Sequence, residues 1–182
     1  LGGGLAVYDI NGNGRPDLVL MQIDADRGYF AWDVAFDLDQ AGVPTSWKHD
    51  AGIAWIGIGF WGGGTDICDI NGNGKPDIVL TAVSRKDGKS AFAYRLGWDL
   101  DTSGQPSSWT DLITGPEMYI GTNPTAGGGA AVADINANGR PDLLVMAIDN
   151  PSGGNSFKYN IGWDLDPVSG QAQGWKPTLI ET

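Results

Sequence analysis

DINGNGRPD, residues 9–17, recurs as DINGNGKPD at residues 69–77 and as DINANGRPD at residues 134–142. Three near-copies of one acidic, glycine-rich loop make this a repeat protein, and the rest of the chain is read outward from them. Each copy carries oxygen-bearing side chains at loop positions one, three, five and nine: Asp9, Asn11, Asn13 and Asp17; Asp69, Asn71, Asn73 and Asp77; Asp134, Asn136, Asn138 and Asp142. Position seven, occupied by Arg15, Lys75 or Arg140, offers a backbone carbonyl. Such alternation suits a hard cation, because calcium takes about six to eight oxygen ligands at about 2.3–2.6 Å. Gly14, Gly74 and Gly139 stand at position six, where the chain must turn sharply. Ala137 replaces glycine at position four of the third copy, a place expected to need neither a ligand nor the sharp turn.

The competing reading is a metal-free turn, since Asn, Asp and Gly dominate turns for conformational reasons alone. Recurrence of both terminal Asp residues and both Asn residues favours the cation. An EF-hand is excluded: position twelve holds Leu20 in the first copy and Leu80 in the second, so the bidentate Glu is missing. Two formal negative charges per loop balance one divalent ion, so binding is expected to be weaker than with four carboxylates and suited to calcium-rich extracellular fluid. Magnesium, with its stricter octahedron, suits the loop less. The expectation is therefore about three calcium ions, one per repeat.

Composition narrows the partners. With 11 basic against 22 acidic residues the net charge is −11, which argues against nucleic acid. Bound divalent ions would relieve that self-repulsion. Cys68 is the sole cysteine, so no internal disulfide forms, and its place beside Asp69 reads as a tolerant strand position. No apolar run approaches the length of a membrane span, and membrane insertion is not expected. Asn123 and Asn150 are each followed by proline, which disqualifies both as glycan acceptors. An opening on Leu1 is what a processed protein or a fragment would show.

The repeat extends well beyond the loop. First-position Asp residues lie 60 and 65 residues apart, a period expected of solenoids or propellers. Behind each loop comes PDLVLMQID, PDIVLTAVS or PDLLVMAID, an apolar strand signal. A second match follows at Phe30, Phe92 and Phe157, where Phe92, Tyr94, Leu96 and Trp98 alternate with Ala93, Arg95 and Gly97 in the period of a strand with one buried face. A third falls at Trp47, Trp109 and Trp175, and GGG precedes the loop in each unit. Four strands per unit emerge: one entering the loop (Leu5 to Ile10), one leaving it, the aromatic one, and one after the Trp. Helix signals are absent, and serial four-stranded antiparallel units build a β-propeller.

These loops, their strand flanks and their period resemble FG-GAP or VCBS repeats, found in integrin α-subunit propellers and in propeller lectins. The resemblance covers essentially the whole chain, with Asn where the family usually has Asp at positions three and five. It implies calcium bound in the loop between the first and second strands of each blade. The expected fold is all-β, a propeller-like array of three four-stranded antiparallel blades at residues 1–60, 61–125 and 126–182. Three blades are too few to close a single-chain ring, since propellers have about four to eight. Further blades from a longer chain, or self-association, are expected to complete it.

Catalysis is not expected. His49 is the only histidine and has no repeat counterpart. The pairs Asp37/Asp39, Asp99/Asp101 and Asp164/Asp166 could suggest a glycosidase, yet they recur once per unit and read as strand ends capped by turns that support the calcium loop. The expected role is an extracellular calcium-binding module for carbohydrate or cell-surface protein, lectin-like or adhesive. The alternative is a self-assembling structural subunit whose open edges polymerise. Repeated tryptophans (Trp98, Trp163, Trp109, Trp175) are expected to pack between blades. Ligand contacts are sought where copies differ, at Phe60, Trp61 and Asn123, and in the variable loops Asp24 to Tyr29, Arg85 to Lys89 and Asp149 to Asn155 at the end opposite the acidic loops.

Overall fold

The structure, a computed structural model, describes residues 2–57, 59–86, 89–118, 127–149 and 156–181. Strands β1 (Gly3–Tyr8), β2 (Asp17–Asp24), β3 (Tyr29–Phe36) and β4 (Ser46–Trp55) form the first sheet. The second comprises β5 (Phe60–Cys68), β6 (Asp77–Lys86), β7 (Lys89–Leu100), β8 (Pro106–Trp109) and β9 (Ile113–Met118). The third comprises β10 (Gly128–Ala133), β11 (Asp142–Asp149), β12 (Ser156–Leu165) and β13 (Ala172–Glu181). Every pairing is antiparallel between neighbours in sequence, apart from β9, which pairs with β7 beyond β8 and so shares the fourth position with it. Among the described residues there is no helix and no sheet that closes on itself.

The strands begin a little earlier than their sequence signals: β1 runs from Gly3 to Tyr8, and Ile10 lies beyond it as a buried loop residue. In the first and third units the Trp lies inside a single fourth strand, with Trp47 in β4 and Trp175 in β13. In the second unit Trp109 ends β8 and the strand restarts at Ile113.

Alternation along each strand creates two faces, and the three sheets use them in series. Val19, Met21 and Ile23 of β2 and Phe30, Trp32 and Val34 of β3 turn toward the second sheet, where Ile67, Ile78, Leu80 and Ala82 meet them in one core cluster. Val79, Val83, Phe92, Tyr94 and Leu96 turn the other way, onto Leu143, Val145, Ala147 and Leu165 of the third sheet. Each fully buried Leu, Ile or Phe stabilises by about 1.5–3 kcal/mol, so these two clusters hold the array together. Trp109 meets Trp32 edge-on at 5.7 Å, and Trp175 meets Phe92 at 4.9 Å, the inter-unit packing expected of the repeated tryptophans.

The GGG runs let the innermost strands approach. A Cβ on Gly4 would sit 2.7 Å from the Thr65 nitrogen, and one on Gly64 would sit 2.3 Å from the Ala130 nitrogen. Only glycine allows backbone to lie so close to backbone. Asp66, standing where the first and third units have Ala6 and Ala131, accepts the Val132 N–H at 2.7 Å across that second junction. Half-buried Cys68 has its thiol pushed up to about 12 by burial first, then by the neighbouring carboxylates, as fits an inert packing residue.

Candidate metal-binding loops

Each acidic loop is closed by its own side chains. Asp9 accepts the N–H groups of Asn13 at 3.0 Å and Gly14 at 2.7 Å, one on each carboxylate oxygen. Asn11 Oδ1 accepts the Asn13 N–H at 3.1 Å, and Asn13 Oδ1 accepts that of Arg15 at 2.9 Å. The second and third loops repeat the set: Asp69 binds the amides of Asn73 and Gly74, Asn73 that of Lys75, Asp134 those of Asn138 and Gly139, and Asn138 that of Arg140. Asn71 and Asn136 likewise accept the Asn73 and Asn138 amides at 3.1 Å. The oxygens at positions one, three and five thus turn toward the inside of the loop.

The last Asp of each loop is different. Asp17, Asp77 and Asp142 are all 0 % exposed. Asp17 accepts the Ile10 N–H at 2.8 Å on one oxygen and the Asp37 N–H at 2.7 Å on the other, tying the loop to the turn after β3. Asp77 does the same with Ile70 and Asp99, and Asp142 with Ile135 and Asp164. Burial raises the Asp77 carboxyl above its ordinary value, against the lowering effect of the amides from Asp99, Ile70 and Asn71.

Asp37, Asp99 and Asp164 complete the arrangement. All three adopt left-handed backbone, with φ of 55°, 52° and 51°. The Asn13 amide donates to Asp37 Oδ1 at 2.5 Å and the Asn11 amide at 3.2 Å; Asp99 and Asp164 receive the corresponding Asn pairs. The Asn13 hydrogen bond, then that of Asn11, holds the Asp37 carboxyl below its usual range, and Asn73 heads the same effect at Asp99. Lys75 adds an ion pair to Asp99 at 3.7 Å. This is the support for the loop that the paired Asp residues led one to expect. Their partners Asp39, Asp101 and Asp166 are engaged in turns: Asp39 accepts the amides of Ala41 and Val43, Asp101 those of Ser103 and Gln105, Asp166 those of Val168 and Ser169.

Position four requires a correction. Gly12 and Gly72 have φ of 72° and 73°, and Ala137 is held at 57°. The chain therefore turns through the left-handed region at position four as well as at position six, and Ala137 carries strain that the sequence reading did not assign to it. The donor set fits a hard cation: Asp9, Asn11 and Asn13 present inward-turned oxygens, each with lone pairs beyond the one accepting an amide. Asp17 holds backbone amides on both oxygens and anchors the loop. Among the described residues no group of three or more His, Cys, Asp or Glu side chains converges, because amide oxygens alternate with the carboxylates here.

The candidate ligand residues are placed unevenly. Phe60 is half-buried against the first core cluster, Trp61 contributes backbone to β5 with a side chain outside the described residues, and Asn123 lies outside them altogether. His49 is exposed, bonded to Asp33 at 3.0 Å and stacked on Trp47. A feature missed in the sequence is a groove of about 380 Å³ where the second and third sheets meet, lined by Trp98, Trp109, Ser108, Asp111, Ser169 and Gln171. Its sequence signal is a tryptophan with polar neighbours at a repeated position. Family models, curated proteins and solved structures yield no match to this chain.

Proposed function

We propose that the chain is a non-catalytic, calcium-clipped, propeller-like repeat module of FG-GAP or VCBS type that works outside the cell, binding carbohydrate or a cell-surface protein. The observation that carries this reading is the threefold recurrence of one loop whose first, third and fifth side chains turn their oxygens inward. Asp9, Asn11, Asn13 and Asp17, with the Arg15 carbonyl, would hold the ion in the first repeat; Asp69, Asn71, Asn73, Asp77 and the Lys75 carbonyl, then Asp134, Asn136, Asn138, Asp142 and the Arg140 carbonyl, would do so in the others. A bound ion supplies a fixed positive centre that offsets the acidic surface. Asp37, Asp99 and Asp164 hold the Asn side chains in place. The groove flanked by Trp98 and Trp109 supports the binding role, since aromatic faces beside hydroxyl and carboxylate groups suit a sugar.

Thermal denaturation in calcium and in chelator, with calorimetric titration of the ion, tests the clip. Calcium is expected to raise Tm and to bind at three sites; equal Tm and no binding heat would sink the assignment. A glycan array in calcium tests the lectin-like role, and silence across all sugars would count against it. A second reading, a self-assembling structural subunit, is favoured by one observation: the outward face of the first sheet exposes Leu5, Val7, Ile53 and Trp55 at 54–66 %.

A further inference from the structure

The two internal junctions share contacts that can be matched position by position. Trp32 donates through Nε1 to the Gly104 carbonyl at 3.3 Å, and its counterpart Tyr94 donates to the Gly170 carbonyl at 3.1 Å. Gly104 leaves no room for a side chain, with Val34 2.8 Å from where its Cβ would be, and Gly170 has Leu96 at 2.6 Å. Lys48 reaches from the first sheet to Ser103 in the second at 2.7 Å. In each junction a glycine of the inner strand, Gly4 or Gly64, abuts the next strand's backbone.

At the two ends of the array the same positions lack their counterparts. On the third sheet Tyr159 stands where Trp32 and Tyr94 do, its hydroxyl has no partner among the described residues, and Lys176 stands exposed in the place of Lys48. Gly129, the counterpart of Gly4 and Gly64, would meet only the Met146 methyl, at 3.4 Å. On the first sheet Gly42, the counterpart of Gly104 and Gly170, has nothing within 4 Å. Trp47, the counterpart of Trp109 and Trp175, is 46 % exposed, and Leu5 is 64 % exposed where Thr65 is buried.

We infer that the outward face of the first sheet docks on the outward face of the third sheet of a second copy of this chain, repeating the internal junction. Trp47 then packs edge-on against Tyr159, the Tyr159 hydroxyl donates to the Gly42 carbonyl, and Gly129 seats against β1. The inference rests on the self-assembly reading and gives it a register and a head-to-tail sense, which an interface of two unlike faces requires. Continuity with the internal junctions selects a second copy, because it presents the missing set of side chains in the right order.

The test compares the 182-residue chain with a front variant (Leu5→Glu, Trp47→Ala) and a rear variant (Tyr159→Ala, Lys176→Glu) by sedimentation and light scattering. The parent is expected to associate as concentration rises, and each variant alone to associate about thirtyfold more weakly or worse. Mixing the two variants should restore a one-to-one complex, since each keeps the face the other lacks. A rear variant that still self-associates would overturn the register while leaving self-assembly standing. A parent that stays monomeric to about 100 µM would overturn both and leave the face to a different occupant. Hydrogen exchange on the parent needs no substitution: protection of both β1 and β10 must increase with concentration, and protection that does not change overturns the proposal.

Discussion

Leu20 and Leu80 hold the same place in the strand leaving the acidic loop, yet Leu20 is 38 % exposed and Leu80 is fully buried. Asp17 and Asp77, three residues earlier, also hold equal places, and both are fully buried. The difference separates two kinds of structure within one repeat. The loop closes on its own backbone, with further contacts to the turn after the third strand of the same unit, so every copy comes out alike. A strand face is completed by the neighbouring sheet, so identical residues meet different fates according to whether a neighbour is there.

The strongest challenge to this contrast is a pair of truncations. Leu80→Ala should cost about 2–5 kcal/mol by leaving a cavity between sheets, and Leu20→Ala under about 1 kcal/mol in dilute solution. Urea denaturation measures both, and equal costs would break the contrast. Next, Asp77→Ala and Asp17→Ala should cost about the same, roughly 2–3 kcal/mol each, because each strands the two backbone amides whose short hydrogen bonds the carboxylate now accepts, Asp77 having only a longer third one from Asn71. A large inequality would mean the loops depend on their neighbours after all. Smaller still, Ala137→Gly should stabilise by about 0.5–1 kcal/mol, and Gly72→Ala should destabilise by about 1–2 kcal/mol, since both sit at positive φ.

The smallest effect concerns Asp33, which the His49 hydrogen bond holds below the ordinary carboxylate range. A depressed folded value means the native state binds fewer protons than the unfolded chain. The pair's contribution is therefore complete above the unfolded value of about 4 and disappears as pH falls through the folded value. His49→Ala should cost about 0.5 kcal/mol at pH 6, and parent and variant should converge once pH has fallen through the folded value. Melting temperatures across that range decide it.

Much of this was legible in residues that act locally. The alternation in FAYRLGWDL placed β7, and the odd-numbered oxygens placed the inward ring of the loop. The Asp37 contact with Asn13 was foreseeable because consecutive antiparallel strands bring alternate turns to the same end. Other features were hidden for physical reasons. Left-handed φ at position four leaves no mark when alanine can be forced into it, as Ala137 shows. The interruption between β8 and β9 and the reach of Asp66 to the Val132 amide involve partners far away in sequence. The groove beside Trp98 and Trp109 exists only where two sheets meet.

The sequence by itself determined the repeat, the strand pattern and the closure of the acidic loops, because hydrogen bonds over a few residues and side-chain alternation need no distant partner. Tertiary structure alone decided which copy of each apolar face is covered, where glycine must admit another backbone, and which tryptophan is left bare. Burial is a property of the neighbour as much as of the residue, and along this chain the neighbour of a covered strand face is about sixty residues away.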